Sequence, residues 1–128
     1  TPNITDVRFI TSAPAGGSSK TVTVEVTWDE GITVAGSPQV TVANNNAGSG
    51  SGRACVLTYT AVGSSANRKR FTATNITVAE DDVLSVGAAT GSLGLNSGTL
   101  SDTEMGGTTV PAFVSLTDTT AVTQTVTG

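Results

Sequence analysis

The feature that most constrains the fold is a strict two-residue alternation over residues 21–28. Apolar residues fall on one face of this segment and polar residues on the other; the apolar set is Val22, Val24, Val26 and Trp28. Successive side chains of a β-strand point to opposite faces, so the pattern predicts a half-buried strand. Because Trp28 is the only tryptophan and ends the apolar face, we predict that it is the largest core residue.

Other segments with strand character follow along the chain, separated by turns rich in Gly, Pro, Asn and Ser. They are residues 4–10, 32–34, 39–42, 54–60, 68–74, 76–78, 83–86, 93–100 and 112–116. No window shows helical periodicity, and short strands at this spacing are typical of a sandwich or barrel. We therefore predict an all-β protein, an antiparallel β-sandwich of about seven to nine short strands.

Length and charge limit the functions that such a chain can have. Its 128 residues match one domain, large enough to bury a core without disulfide or metal. Charged residues make up 12% of the chain, and the net charge is −4. This balance argues against nucleic acid and against an anionic membrane as partners, since both attract basic surfaces. No stretch is apolar enough to span a bilayer.

The residue types used in catalysis are scarce. There is no histidine, which removes triads with a histidine base and most catalytic zinc sites. The acidic clusters at 29–30, 80–82 and 102–104 suit solvated turns better than an acid–base pair, and their spacing matches no calcium loop. The single cysteine, Cys55, lies in a strand-like run and is expected to pack as a small hydrophobe. We expect no enzyme activity, no cofactor and no metal.

The order of motifs resembles a bacterial immunoglobulin-like repeat of the adhesin type. Residues 24–42 contain a strand ending in an aromatic and an acidic pair, a short valine strand, a Gly-Ser-Pro turn and another strand. Residues 54–60, 82–86 and 95–106 are similar to later strands and to the closing turn of that family. The resemblance runs from about residue 7 to residue 111 and implies an immunoglobulin-like sandwich, which we place at residues 1–114.

The resemblance implies a non-enzymatic structural or binding module. Such repeats usually occur in tandem, and this chain has no internal repeat. A solitary module also resembles the decoration and head-fibre proteins of tailed-phage capsids. We therefore expect a virion protein that contacts a capsid or other virion protein, as a homo-oligomer or symmetric array. The alternative is one repeat of a bacterial cell-surface adhesin, acting as a spacer or ligand binder. A carbohydrate-binding module is a third reading, but one Trp and one Tyr make a poor stacking platform.

Two segments are candidate partner-binding sites. Arg68, Lys69 and Arg70 hold three of the six basic residues and either discourage edge pairing or contact an acidic partner. Residues 115–128 have high β propensity and form either a final strand of the domain or an arm that adds to a neighbouring sheet. Its candidate contacts are Thr119, Val122 and Val126. The glycine-rich loop at 44–52 is either a flexible tip or an adaptable binding loop.

Overall fold

A computed structural model describes residues 3–10, 15–48, 55–86, 91–102 and 122–127. This part of the chain contains ten β-strands and no helix, and all strand pairs are antiparallel. The strands are β1 (Ile4–Phe9), β2 (Gly17–Trp28), β3 (Ile32–Ala35), β4 (Gln39–Asn44), β5 (Cys55–Thr60), β6 (Arg68–Val78), β7 (Val83–Val86), β8 (Gly91–Gly94), β9 (Thr99–Asp102) and β10 (Val122–Thr125). The all-β, antiparallel prediction is confirmed. No helix long and apolar enough to cross a membrane occurs among the described residues.

Most strands belong to one continuous sheet. Its order is β1-β2-β6-β5-β4-β7-β10, and β8 pairs with β4 beside this path. β4 is the junction, because Gln39–Val42 pair with both β5 and β8, whereas Ala43 and Asn44 pair with β7. The sheet can be divided into two halves, one made of β1, β2, β6 and β5 and the other of β4, β7, β8 and β10. The β4–β5 pair joins these two halves. β3 and β9 form a separate two-stranded ribbon.

The main sheet curls until its two outer strands approach each other. Thr127, just after β10, forms a parallel bridge with Ala15, and Gly16 N–H donates to the Thr127 carbonyl at 3.0 Å. β10 also contacts β1. The sheet is thus nearly closed around one core rather than being two separate layers.

The core is built mainly from valine, as the alternating pattern predicts. Val22, Val24, Val26 and Trp28 of β2 are all fully buried, and Trp28 is the largest of the buried side chains. Phe71, Leu57 and Leu84 of β6, β5 and β7 are also fully buried and belong to the same core cluster, and Phe71 is the cross-strand partner of Val24. Phe71 contacts Tyr59 edge to face, with ring centroids 6.1 Å apart.

β2 begins at Gly17, four residues before the segment predicted at 21–28. Two further strand predictions are wrong in their boundaries, and both of these errors come from residues with positive φ. Residues 68–74 and 76–78 form the single strand β6, because Asn75 (φ 57°) makes a bulge instead of ending the strand. Residues 93–100 are instead divided by a turn at Asn96 and Ser97, whose φ angles are 47° and 62°. In that turn Gly98 N–H donates to the Leu95 carbonyl. The predicted strand at 112–116 lies outside the described residues.

Candidate interaction surfaces

The basic segment at the start of β6 does not present three cations to solvent. Strand alternation sends its members to opposite faces: Arg68 is exposed, Lys69 is buried and Arg70 is half-buried. Lys69 pairs with Val26 of β2 and therefore points toward the core. The predicted basic contact surface thus reduces, in this geometry, to Arg68 and part of Arg70.

The buried side chain of Lys69 forms a hydrogen bond with the loop that precedes β6. Its Nζ donates to the Ser65 carbonyl at 2.6 Å, while the residue as a whole is only 8% exposed. Desolvation by burial lowers the pKa of Lys69, since the ammonium form loses water that one carbonyl only partly replaces. The side chain therefore works as a packed stem with a hydrogen-bonded tip.

Arg70 lies on the outer face of the sheet, beside Glu25. Its Nε is 3.1 Å from Glu25 Oε2, and the Glu25 side chain is only 7% exposed. Arg8 pairs with Glu25 in the β1–β2 register and forms its own ion pair with Asp6 at 2.8 Å. The carboxylate of Glu25 is therefore flanked by two arginines on neighbouring strands, which accounts for its tolerance of burial.

The structure describes two of the three C-terminal candidates, Val122 and Val126. β10 pairs with β7 over four residues, with Val122 opposite Val86. Val126 is 1% exposed and belongs to the core. Residues 122–125 are therefore a strand of the main sheet, whereas residues 115–121 lie outside the described ranges. Thr119 lies outside the described residues.

A buried carboxylate, which the sequence did not single out from its acidic neighbours, organises one end of the molecule. Asp82 is fully buried, although the acidic run at 80–82 reads as a solvated turn. Its Oδ2 accepts hydrogen bonds from Ala79 N–H and Asn44 Nδ2, both at 3.0 Å, and its Oδ1 accepts one from Gly48 N–H at 2.9 Å. We call Asn44–Gly48, Ala79–Asp82 and Val126 the Asp82 corner.

The backbone completes the Asp82 corner. Val126 N–H donates to the Asp82 carbonyl at 2.8 Å, and Asp81 N–H donates to the Val126 carbonyl at 2.9 Å. The only sequence signal for this arrangement was an Asx residue placed before a strand, which is too common in turns to be diagnostic.

The first half of the glycine-rich loop is tied to this corner. Asn44 Oδ1 accepts from Asn46 N–H at 2.7 Å, and Asn45 Oδ1 accepts from Ala47 and Val83 N–H, both at 2.9 Å. A Cβ on Gly48 would lie 2.6 Å from the Glu80 carbonyl oxygen, so only glycine fits there. Residues 44–48 are therefore an anchored stem; residues 49–52 lie outside the described ranges.

Charged residues of the main sheet are confined to β1, β2 and β6. The strands β4, β5, β7, β8 and β10 carry none. Three residues lie side by side on the outside of this uncharged half: Ala43 pairs with Ser85, and Ser85 pairs with Thr123. We call the surface that they form the uncharged face. Depletion of charge is the compositional mark of protein-contact surfaces, so this uncharged face is a second candidate interaction surface.

No reactive or metal-binding group stands out in the described part of the chain. Cys55 is 5% exposed, and burial raises the pKa of its thiol to about 11. A thiol of that pKa is a poor nucleophile near neutral pH. The described residues contain no group of three or more His, Cys, Asp or Glu that could hold a metal ion.

Comparison with known proteins adds no assignment to this geometry. The chain matches no protein-family model, no curated protein sequence and no solved structure at a significant level.

Proposed function

We propose that this chain is a non-enzymatic structural and binding module with immunoglobulin-like topology. The observation that carries the proposal is the strand order. In an immunoglobulin constant domain, strands A, B, E and D form one sheet, and C, F and G form the other. Here β1-β2-β6-β5 and β4-β7-β10 follow those two orders, joined by the β4–β5 pair. The parallel bridge from residue 15 to residue 127 links the segment before β2 to the last strand.

The use of the polar side chains supports a structural role. Among the described residues, Asp82, Lys69 and Glu25 are the buried charged side chains. Each is engaged inside the fold: Asp82 with three donors, Lys69 with a carbonyl and Glu25 with an arginine. Surfaces rather than a reactive centre are therefore what this chain offers to a partner.

As a setting, we propose the surface of a tailed-phage particle, where the module decorates or projects from the capsid as part of a symmetric array. The uncharged face is the surface on which a virion protein would bind with the smallest desolvation cost, because no charged group loses its water there. Arg68, exposed at one end of β6, supplies a contact for an acidic rim.

Cryo-electron microscopy of the native source material tests this setting. We expect density for the chain at symmetric positions on capsids. Purified chain should also co-sediment with particles lacking it. Ser85→Lys and Thr123→Lys should weaken that binding at least tenfold, whereas Thr74→Lys, on the charged half, should not. If Arg68→Glu abolishes binding and the other variants do not, the contact surface is the end of β6 instead.

A second setting, one repeat of a bacterial surface adhesin, is favoured by a different observation. Asn3 lies beside Asp29 at the Trp28 end of the molecule, whereas Thr127 lies beside Gly16 at the other end. A module with such ends can be strung in tandem. Finding the chain as one bead of a cell-surface filament, and not on particles, would replace the virion proposal with this one.

A further inference from the structure

The two outermost described residues lie at opposite ends of the long strand β2. Asn3 N–H donates to Asp29 Oδ1 at 2.9 Å, just beyond Trp28, the last residue of β2. Thr127 accepts from Gly16, which precedes Gly17, the first residue of β2. At about 3.3 Å per residue, the strand separates the two ends by roughly 36 Å. Tension applied through the main chain therefore acts along the strand axes.

The strands nearest these ends, β1 and β10, run in the same direction. β1 begins at the Trp28 end, where Ile4 pairs with Trp28, and β10 finishes at the other end, next to the bridge between Ala15 and Thr127. Tension pulls β1 from its first residue along β2, and β10 from its last residue along β7. Ladder hydrogen bonds are perpendicular to the strands, so an axial pull strains every rung together. Peeling, in contrast, breaks one rung at a time.

Each of these two strands is secured at the end where the tension enters. At the first end, Asp29 N–H donates to the Asn3 carbonyl, and Thr5 Oγ1 donates to the Thr27 carbonyl. At the second end, the Asp82 corner holds Val126 by two backbone hydrogen bonds. The Asp82 carboxylate then connects that turn to Asn44 and Gly48, so force entering through Val126 is shared with β4.

We propose that this module is a mechanical element that resists tension along its chain, with β1 and β10 held in shear. The inference deepens the proposed function, because it assigns to the surface module the task of staying folded when a fibre or filament is pulled. It requires no ligand and depends only on strand direction, register and the anchors at the two ends.

Single-molecule force spectroscopy with two pulling directions tests the proposal on one fold. In a Cys55→Ala background, handles are attached to cysteines at Asn3→Cys and Thr127→Cys for the axial direction. The control carries Asn3→Cys and Glu30→Cys, whose handles lie at the same end and peel β1 from β2. Matching thermal midpoints for the two variants would show that they differ in direction and not in stability.

We expect the axial direction to need at least about twofold more force than the peeling direction at the same loading rate, because all rungs are strained together. Equal forces, or a weaker axial direction, would overturn the mechanical inference while leaving the particle-binding experiment unaffected. Conversely, absence of the chain from capsids and filaments would remove the proposed function without changing the force anisotropy.

Discussion

At the scale of single residues, the buried carboxylate of Asp82 joins three segments that are distant in sequence. Asp82→Asn replaces one carboxylate oxygen with an N–H₂ group, so in either orientation of the amide at least one of Ala79 N–H, the Asn44 amide and Gly48 N–H loses its acceptor. Hydrogen bonds to charged groups contribute more than neutral ones, and we expect a loss of about 2–4 kcal/mol in the free energy of unfolding. Urea denaturation measures it. Asp81→Asn, at the exposed neighbour, is the control, and a similar loss there would contradict this role for Asp82.

Asp81 itself occupies a strained position. Its φ is 77°, in a turn closed by the hydrogen bond from Asp82 N–H to the Ala79 carbonyl. A positive φ at the third position of such a turn favours glycine. We expect Asp81→Gly to raise the unfolding free energy by about 0.5 kcal/mol. Glu80→Gly, at the preceding position, should lower it, and equal effects of the two substitutions would show that strain is not the cause.

Cys55 is expected to make the free energy of unfolding vary with pH in the alkaline range. Burial raises the pKa of the folded-state thiol from about 9 to about 11, so the unfolded chain ionises first. The free energy of unfolding that the buried neutral thiol contributes is fully present below pH 9. It falls by about 2–3 kcal/mol as the pH rises to 11. Lys69, whose pKa burial lowers, acts with the opposite sign in this window. The difference between wild type and Cys55→Ala isolates the thiol; identical pH profiles from pH 8 to 10.5 would disprove the assignment.

At the scale of elements, β10 is the strand whose role the sequence left open between a domain strand and an arm. Val126 belongs to the core, so Val126→Ala should cost about 1.5–2.5 kcal/mol of unfolding free energy. Thr125→Ala, on the exposed side, should cost less than about 0.5 kcal/mol. Thermal or urea denaturation measures both. A neutral Val126→Ala would mean that the segment is not docked on β7 in solution.

The element boundaries show where local patterns fail. Alternation in β2 places its core face correctly, because period 2 is a property of the strand backbone itself. The bulge at Asn75 and the turn at Asn96 and Ser97 were not distinguished, since both are built from polar residues with positive φ. Whether such a residue interrupts a strand or ends it depends on the partner strand, which a local pattern does not contain.

At the scale of the whole molecule, the β4–β5 pair makes one cooperative unit of the two halves. Buried residues on both sides of this junction form a single cluster that includes Trp28 and Val126. We therefore expect two-state unfolding, with Trp28 fluorescence and the far-ultraviolet circular dichroism giving coincident urea transitions. Transitions separated by more than their fitting error would show that the halves unfold independently.

The amino-acid sequence alone determined the all-β class, the inward face of β2 and the burial of Trp28 and Cys55, because these follow from side-chain alternation and hydrophobicity. Only the tertiary structure decided the fate of the charged residues. Arg68, Lys69 and Arg70 are three consecutive cationic residues that the sequence does not distinguish. In the structure Arg68 is exposed, Lys69 is buried and Arg70 is paired with Glu25. Asp82 is likewise buried while Glu80 and Asp81 are exposed. The physical reason is that a charge is buried only where hydrogen-bonding groups or an opposite charge meet it. Arg70 reaches Glu25, and Asn44 and Gly48 reach Asp82, from segments distant in the chain.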